Sequence, residues 1–229
     1  MKIQFIEKGN IHMLEIISRT VGPVRTNSYF IYNEKKEALI IDPGGETETL
    51  LEAINSLNLK PLAVLITHAH YDHIASLDDL REHFKIEAYM SPVEQAWLGD
   101  PSLNLSGGSS WMEPVTAKPV ENELEMNQDY RLADFSFRVV PTPGHSPGSV
   151  SYIFEADQFV ICGDTLFQGT IGRTDLPQGD LHTLKNSIRR ELFTLPHNYK
   201  VYPGHGSPTT IKEEYTTNPF FNSQNVEKG

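Results

Sequence analysis

Between positions 68 and 73 the chain reads His68-Ala69-His70-Tyr71-Asp72-His73, four candidate metal ligands within six residues. Neutral imidazole nitrogens and carboxylate oxygens suit zinc, iron and manganese. The two-residue spacing sends the imidazoles of His68 and His70 to the same side of an extended or turning segment. Asp72 and His73 follow as the chain enters the next element. Four ligands from so short a stretch are more than one tetrahedral ion can take, so the spacing favours two adjacent ions. Two divalent cations sharing a water lower its pKa toward neutrality and make hydroxide available without a strong base. The same charges polarise a carbonyl and stabilise the developing oxyanion. The chemistry is hydrolysis of an ester, amide, thioester or phosphodiester.

The elements around the motif predict where such ligands would stand. The motif lies between an apolar strand at 62–66 and a helical pattern at 74–84. Three further candidates also stand at strand ends. His145 lies in Pro141-Thr142-Pro143-Gly144-His145-Ser146-Pro147-Gly148 after a strand at 135–140. Asp164 follows a strand at 159–161, and His205 lies in Val201-Tyr202-Pro203-Gly204-His205-Gly206, a third strand-to-turn exit. Ligands from strand ends converge on one edge of a sheet sandwich, where loops leave room for a substrate. An internal echo supports a sandwich of two related halves. Ser28-Tyr29-Phe30-Ile31-Tyr32, a polar break and Ala38-Leu39-Ile40-Ile41-Asp42 reappear as Ser151-Tyr152-Ile153-Phe154, a break and Phe159-Val160-Ile161-Cys162-Gly163-Asp164. Each reads as a hairpin whose second strand runs out at an aspartate.

A further strand is predicted at 13–18, and helices at 47–57, 93–98 and 181–195. Ser91-Pro92 and Asp180 offer helix caps. Residues 99–119 are polar and broken by Gly107-Gly108, and 102–113, with Trp111, read as a mobile lid. His12, His83, His182 and His197 read as surface or half-buried residues, and Cys162 as a small buried strand residue.

Composition narrows the function classes. The chain has 229 residues, 38% hydrophobic and 21% charged, the profile of an ordinary globular protein. Nineteen basic against thirty acidic residues give a net charge of −11, with no stripe of Lys and Arg, so nucleic acid is excluded as a partner. No apolar run is long enough for a membrane helix, and the N-terminal residues lack the pattern of a signal peptide. A cytoplasmic location is expected, and a single cysteine agrees with a reducing compartment.

The string His68-x-His70-x-Asp72-His73, followed in order by His145, Asp164 and His205, resembles the metallo-β-lactamase superfamily through nearly the whole chain. The resemblance implies an α+β fold, a four-layered αβ/βα sandwich, with 1–229 as a single domain of two related halves and no separate C-terminal substrate domain. It implies that His68, His70 and His145 hold one cation, that Asp72, His73 and His205 hold a second, and that Asp164 bridges them. The implied cofactors are two divalent metal ions per chain, zinc first, with iron or manganese also suited. Asp42 would either orient a ligand or cap the turn before Pro43-Gly44-Gly45.

The segment Leu166-Phe167-Gln168-Gly169-Thr170-Ile171-Gly172-Arg173-Thr174-Asp175 is similar to the glyoxalase II (hydroxyacylglutathione hydrolase) branch. So are Asp42-Pro43-Gly44, Thr142-Pro143-Gly144-His145-Ser146-Pro147-Gly148 and Pro203-Gly204-His205-Gly206. In that branch the position of Arg173 is basic and contacts a carboxylate of glutathione; the alternative is an Arg173–Asp175 ion pair that fixes the loop. The implied reaction is hydrolysis of a small-molecule thioester, with Asp72 and Asp164 as catalytic residues and Arg173 on the substrate. The chain after His205 is too short for the helical domain of long glyoxalase II enzymes, which leaves the thiol carrier open. Gly172-Arg173-Thr174-Asp175 is shared with persulfide dioxygenases, which use a single iron held by a subset of the ligands, and this is the alternative activity. A lactone hydrolase would share the ligands; a β-lactamase is disfavoured by the loop after Asp164, and a binding module by seven intact ligands.

Overall fold

The computed structural model describes residues 13–108 and 113–222. The first half begins with the strands β1 (Glu15–Val21), β2 (Thr26–Tyr32) and β3 (Glu37–Ile41), joined as an antiparallel meander. Helix α1 (Thr47–Ser56) then crosses to β4 (Lys60–Leu65), and α2 (Tyr71–Ile74) with α3 (Leu77–Phe84) cross to β5 (Glu87–Met90). A 3-10 helix, Pro92–Trp97, and the long loop precede β6 (Asn122–Glu123). β4, β5 and β6 add to β3 in parallel, giving the sheet order β1-β2-β3-β4-β5-β6.

The second half repeats the plan. The strands β7 (Gln128–Leu132), β8 (Phe135–Pro141), β9 (Val150–Phe154) and β10 (Phe159–Gly163) run antiparallel. A small hairpin of β11 (Leu166–Phe167) and β12 (Thr170–Ile171) leads to α4 (Leu181–Ser187), which continues as a π-helical turn, Ile188–Leu192. β13 (Lys200–Pro203) joins β10 in parallel, β14 (Thr209–Thr210) closes that edge, and α5 (Ile211–Thr217) follows. The order is β14-β13-β10-β9-β8-β7. The echoed hairpins are β2–β3 and β9–β10, each receiving a parallel strand on its far side.

Strand alternation produces the layers. On β2, Tyr29 and Ile31 point to the other sheet while Phe30 and Tyr32 point to α1, so all seven residues of this strand are buried. Between the sheets lie Ile31, Leu39, Ile41 and Leu65 from one side and Phe137, Val139, Tyr152, Phe154 and Ile161 from the other. Leu50, Ile54, Leu77 and Leu80 cover the outer face of the first sheet, and Leu184, Ile188, Leu192 and Ile211 that of the second. This is the four-layered αβ/βα sandwich of the α+β class. No described helix is long and apolar enough to cross a membrane.

Local differences from the sequence pattern have physical causes. The helix predicted at 74–84 is two pieces and starts earlier, because Asp72 and His73 are polar yet buried and an apolar period cannot register them. The break is pinned where Ser76 N–H donates to the carbonyl of Pro43 at 2.9 Å. The predicted helix at 181–195 splits into α4 and its π turn, and that at 93–98 is 3-10. The Ser91 and Asp180 caps form, accepting from Val93 and Thr183 N–H. In the loop, the described residues around Asn104 and Ser106 are tied down: both are buried, and Asn104 donates to the carbonyls of Trp97 and Val115. This contrasts with a freely moving lid; Trp111 lies outside the described residues.

Phe154 is fully buried and stacks on Phe159 at 4.5 Å between the sheets. Phe154→Ala should therefore cost about 3–5 kcal/mol of stability in denaturant unfolding, as for truncation of a buried aromatic that neighbours cannot replace. A cost below about 1 kcal/mol would mean that the inter-sheet core closes around the cavity.

Candidate metal centre

The parallel strands β3, β4, β8, β10 and β13 end at one rim of the sandwich, and each leads there into a candidate functional segment. Asp42 follows β3, the His68–His73 turn follows β4, His145 follows β8, Asp164 follows β10 and His205 follows β13. All seven candidate ligands meet there. His68, His70 and His145 form one group whose donor atoms lie within 4.8 Å of one another, and Asp72, His73 and His205 form another. Asp164 stands between them: Oδ1 lies 3.5 Å from His73 Nε2, and Oδ2 lies 3.5 Å from His145 Nε2 and 3.4 Å from His205 Nε2.

The hydrogen bonds behind the rings fix which nitrogen faces inward. Thr67 Oγ1 donates its one hydrogen to Asp42 Oδ2 at 2.6 Å, so toward His68 Nδ1, 3.1 Å away, it acts as acceptor. His68 then carries its proton on Nδ1 and keeps the Nε2 lone pair free. His73 Nδ1 donates to Asp42 Oδ2 at 2.9 Å, and His145 Nδ1 to the carbonyl of Arg173 at 2.8 Å, so Nε2 is the inward nitrogen of both rings. His70 presents Nδ1, 2.9 Å from His145 Nε2. His68 Nε2, His73 Nε2 and Asp164 Oδ1 are buried without a hydrogen-bond partner, as is His70 Nε2. For His68 and His73 the orphaned inward nitrogen is backed by a partner on the far ring nitrogen, and with Asp164 Oδ1 and the inward Nδ1 of His70 these atoms are the donor set that a cation completes. The residues fit two divalent ions.

Electrostatics point the same way. Burial, with neighbouring histidines, pushes His68 well below the ordinary imidazole range and His70 down to about 3, so both rings are neutral. On the other side carboxylates dominate. Burial opposes the charge on His73, but Asp72, Asp42 and Asp164 override it and hold the ring well above its usual range. Burial likewise opposes His205, yet hydrogen bonds to Asp164 and Asp72 raise it to about 10. Burial opposes the charge on both acids, but the His73 charge and the contact with His205 outweigh it, so Asp72 falls to about 2 and Asp164 is held well below the usual carboxylate range. Without metal, protons on His73 and His205 balance the carboxylates.

Several supporting residues were not singled out by the sequence reading. Thr67 is one; Thr26, whose hydroxyl donates to Asp72 Oδ2 at 2.6 Å, is another. Asp42 orients the candidate ligand His73. Gly204 has no room for a side chain, since a Cβ there would lie 2.1 Å from Asp164 Oδ1 and 2.8 Å from the His73 ring. Cys162 faces the helix-side core, its thiol pushed up to about 12 by burial. His83, His182 and His197 are on the surface.

Two predictions follow from this geometry. Gly204→Ala should fold but lose bound metal, read by elemental analysis; full metal content would mean that the Asp164 and His73 positions relax freely. Loading metal-free protein at pH 7 should release protons from His73 and His205, roughly two per chain, because a ring held protonated to high pH must give up its proton to ligate. Calorimetry in buffers of different ionisation heat measures this, and zero release would remove these rings from the ligand set.

The sequence profile of the metallo-beta-lactamase superfamily matches residues 21–205. A probable metallo-hydrolase of Streptococcus pyogenes is 47% identical over 198 residues, 85% of each chain. The hydroxyacylglutathione hydrolase GloC of Haemophilus influenzae is 36% identical, covering 92% of this chain and 99% of its own. Among solved structures, BLEG-1 B3 metallo-beta-lactamase superposes with a TM-score of 0.88 at 43% identity, covering 91% of this chain and all of its own. TTHA1623 in a di-iron-bound form gives 0.79 at 36% identity, covering 89% and 99%. ETHE1 from Myxococcus xanthus gives 0.71 at 30% identity, covering 90% and 83%. With the profile spanning most of the sandwich and every motif residue at its rim, the chain belongs to the metallo-β-lactamase superfamily as a metallo-hydrolase.

Proposed function

We propose that this protein hydrolyses the thioester of a small thiol carrier, in the manner of a hydroxyacylglutathione hydrolase. The observation that carries the reading is the wall of the cavity beside the metal centre. This cavity, of about 490 Å³, is lined by the candidate ligands His70, Asp72, His145, Asp164 and His205 together with Val24, Tyr71, Leu105, Phe167, Thr170, Ile171, Arg173 and Leu176. Among the described lining residues other than the candidate ligands, the protic side chains are Tyr71, Thr170 and Arg173, all weak acids poorly suited to protonate a leaving atom. Burial raises the Tyr71 hydroxyl above its ordinary value, and Arg173 keeps its charge. An amine leaving group needs a proton, whereas a thiolate with a pKa of about 8.5 departs as the anion. The site therefore suits a thioester.

Divalent cations held by the His68, His70 and His145 group and by the Asp72, His73 and His205 group would supply a hydroxide nucleophile at neutral pH and positive charge for the carbonyl oxygen. The chain's own residues do the positioning. Thr26 holds Asp72, Asp42 holds Thr67 and His73, and the Arg173 carbonyl holds His145. Phe167, Ile171, Leu105 and Leu176 offer an apolar surface to the acyl group and carrier. Arg173 stands at the mouth, largely exposed, in a bidentate pair with Asp175 at 2.8 Å for both contacts. A substrate carboxylate would take the place of Asp175 on the same guanidinium. GloC, by its name, acts on a thioester of this class.

The alternative activity, a persulfide dioxygenase with one iron, draws on the Gly172-Arg173-Thr174-Asp175 string. The complete Asp72, His73 and His205 group, beyond what a single ion needs, favours the hydrolase. Cytosolic thioesters are the expected substrates, with zinc, iron or manganese as the metal.

Elemental analysis with a panel of thioesters, nitrocefin and a persulfide under oxygen tests the reading. Two ions per chain with thioester turnover are expected; one iron with oxygen uptake, or β-lactam turnover without thioesterase activity, would replace it. His70→Ala and Asp164→Ala should abolish turnover, and retained activity in Asp164→Ala would rule out a shared two-ion site. Arg173→Ala should raise KM for a carboxylate-bearing thioester a few-fold more than for a neutral one and leave kcat unchanged, since the backbone carbonyl that holds His145 remains. Equal effects on both substrates would make the side chain a loop brace only.

A further inference from the structure

Outside the ligand set, the most buried acid near the centre is Glu94, on the short 3-10 helix after β5. Its side chain is fully enclosed, and its two oxygens serve two different turns. Oε2 accepts the N–H of Ala69, between His68 and His70, at 2.7 Å, and Oε1 accepts the N–H of Gly148, three residues past His145, at 2.6 Å. Both partners are donors, so the group acts as a carboxylate with acceptor oxygens only. Gly148 is shaped around it: a Cβ there would lie 2.7 Å from Glu94 Cγ.

The same helix supports the cluster at other points. The ring of Trp97 lies beside His70, with centroids 5.9 Å apart. The Trp97 carbonyl accepts from Asn104, whose own carbonyl accepts the N–H of Tyr71 at 2.9 Å. Burying a carboxylate is costly unless hydrogen bonds offset it, and an apolar residue would fill this space without that cost. What the carboxylate adds is a fixed separation between two turns that come from different sheets.

We propose that Glu94 is a positioning residue for the three-histidine cation site: by clamping the Ala69 turn to the Gly148 turn it sets the spacing of His68 and His70 from His145, and so the hold of that site on its ion. The Glu94 hydrogen bonds go to Ala69 and Gly148, whereas the Asp72, His73 and His205 group is braced by Thr26 and Asp42. The proposal rests on the two-cation reading of the centre, not on the identity of the substrate. Glu94→Gln keeps the shape but turns an amide N–H₂ toward one of the two N–H donors, so one arm of the clamp is lost.

The test is ion escape from the cobalt-loaded protein into excess chelator, followed by absorbance, for wild type, Glu94→Gln and Glu94→Asp. In Glu94→Gln one ion per chain should leave roughly 10- to 100-fold faster, as for other residues that orient ligands, while the second leaves at the wild-type rate. Glu94→Asp, with the charge kept but a reach too short for both turns, should fall between the two, and it carries the test if the glutamine variant does not fold. Unchanged escape of both ions, or equal acceleration of both alongside a lower Tm, would make Glu94 a general stability residue and overturn the proposal. A wild type that holds a single ion would remove the two-cation reading instead, and Glu94 would then be judged on that ion's escape rate.

Discussion

Asp42 stands at the end of β3 with a backbone φ of 48° and a carboxylate that accepts three hydrogen bonds. They come from the N–H of Thr67 at 2.7 Å, the Thr67 hydroxyl at 2.6 Å and His73 Nδ1 at 2.9 Å. Because the Thr67 hydroxyl has one hydrogen and gives it to Asp42, it must accept from His68. One carboxylate thus decides the proton positions on two imidazoles assigned to different cations. Without it the Thr67 hydroxyl could turn, and neither inward lone pair would be assured. The left-handed backbone at Asp42 is local strain that the surrounding contacts hold in place, as at many functional sites.

The second constraint is charge. Asp42, Asp72 and Asp164 are buried together, and such a group persists only with positive charge beside it. The three-histidine side is kept neutral by burial, while the carboxylate side raises His73 and His205. The centre is therefore asymmetric before any ion arrives: one group offers neutral nitrogens, the other offers negative charge. Asp164, aimed at both, is the candidate ligand whose position joins the two groups.

The cavity depends on elements far along the chain. The hairpin of β11 and β12, which brings Phe167, Thr170 and Ile171 to the cavity wall, is held from behind by α5. There the buried Glu214 accepts the N–H of Gly169 at 2.9 Å, and Asn218 donates to the carbonyl of Thr170 at 3.0 Å. The apolar surface offered to substrate is thus braced from behind by the short helix α5.

How much of this was legible in the sequence follows from what kind of signal each part leaves. The seven candidate ligands could be read because histidine and aspartate at strand ends, in that order and spacing, are rare. The two halves could be read because buried hairpins leave apolar runs that repeat. Helix α2 could not be bounded, since its first turn is polar and buried. Thr67, Thr26, Glu94 and Glu214 left no mark at all: threonine and glutamate are common, and nothing local says that a carboxylate will meet N–H groups dozens of residues away. Arg173 and Asp175 lie close enough for either a brace or a binding pair to be written from sequence, and the observed bidentate contact shows what a substrate must displace. By itself, then, the sequence determined the candidate-ligand types, their order and the paired-sheet plan, because these rest on local spacing and periodicity. The tertiary structure alone decided which ring nitrogen faces inward, which carboxylates share a site and what lines the cavity, because each depends on hydrogen bonds and burial between segments brought together only by the packing of the two sheets.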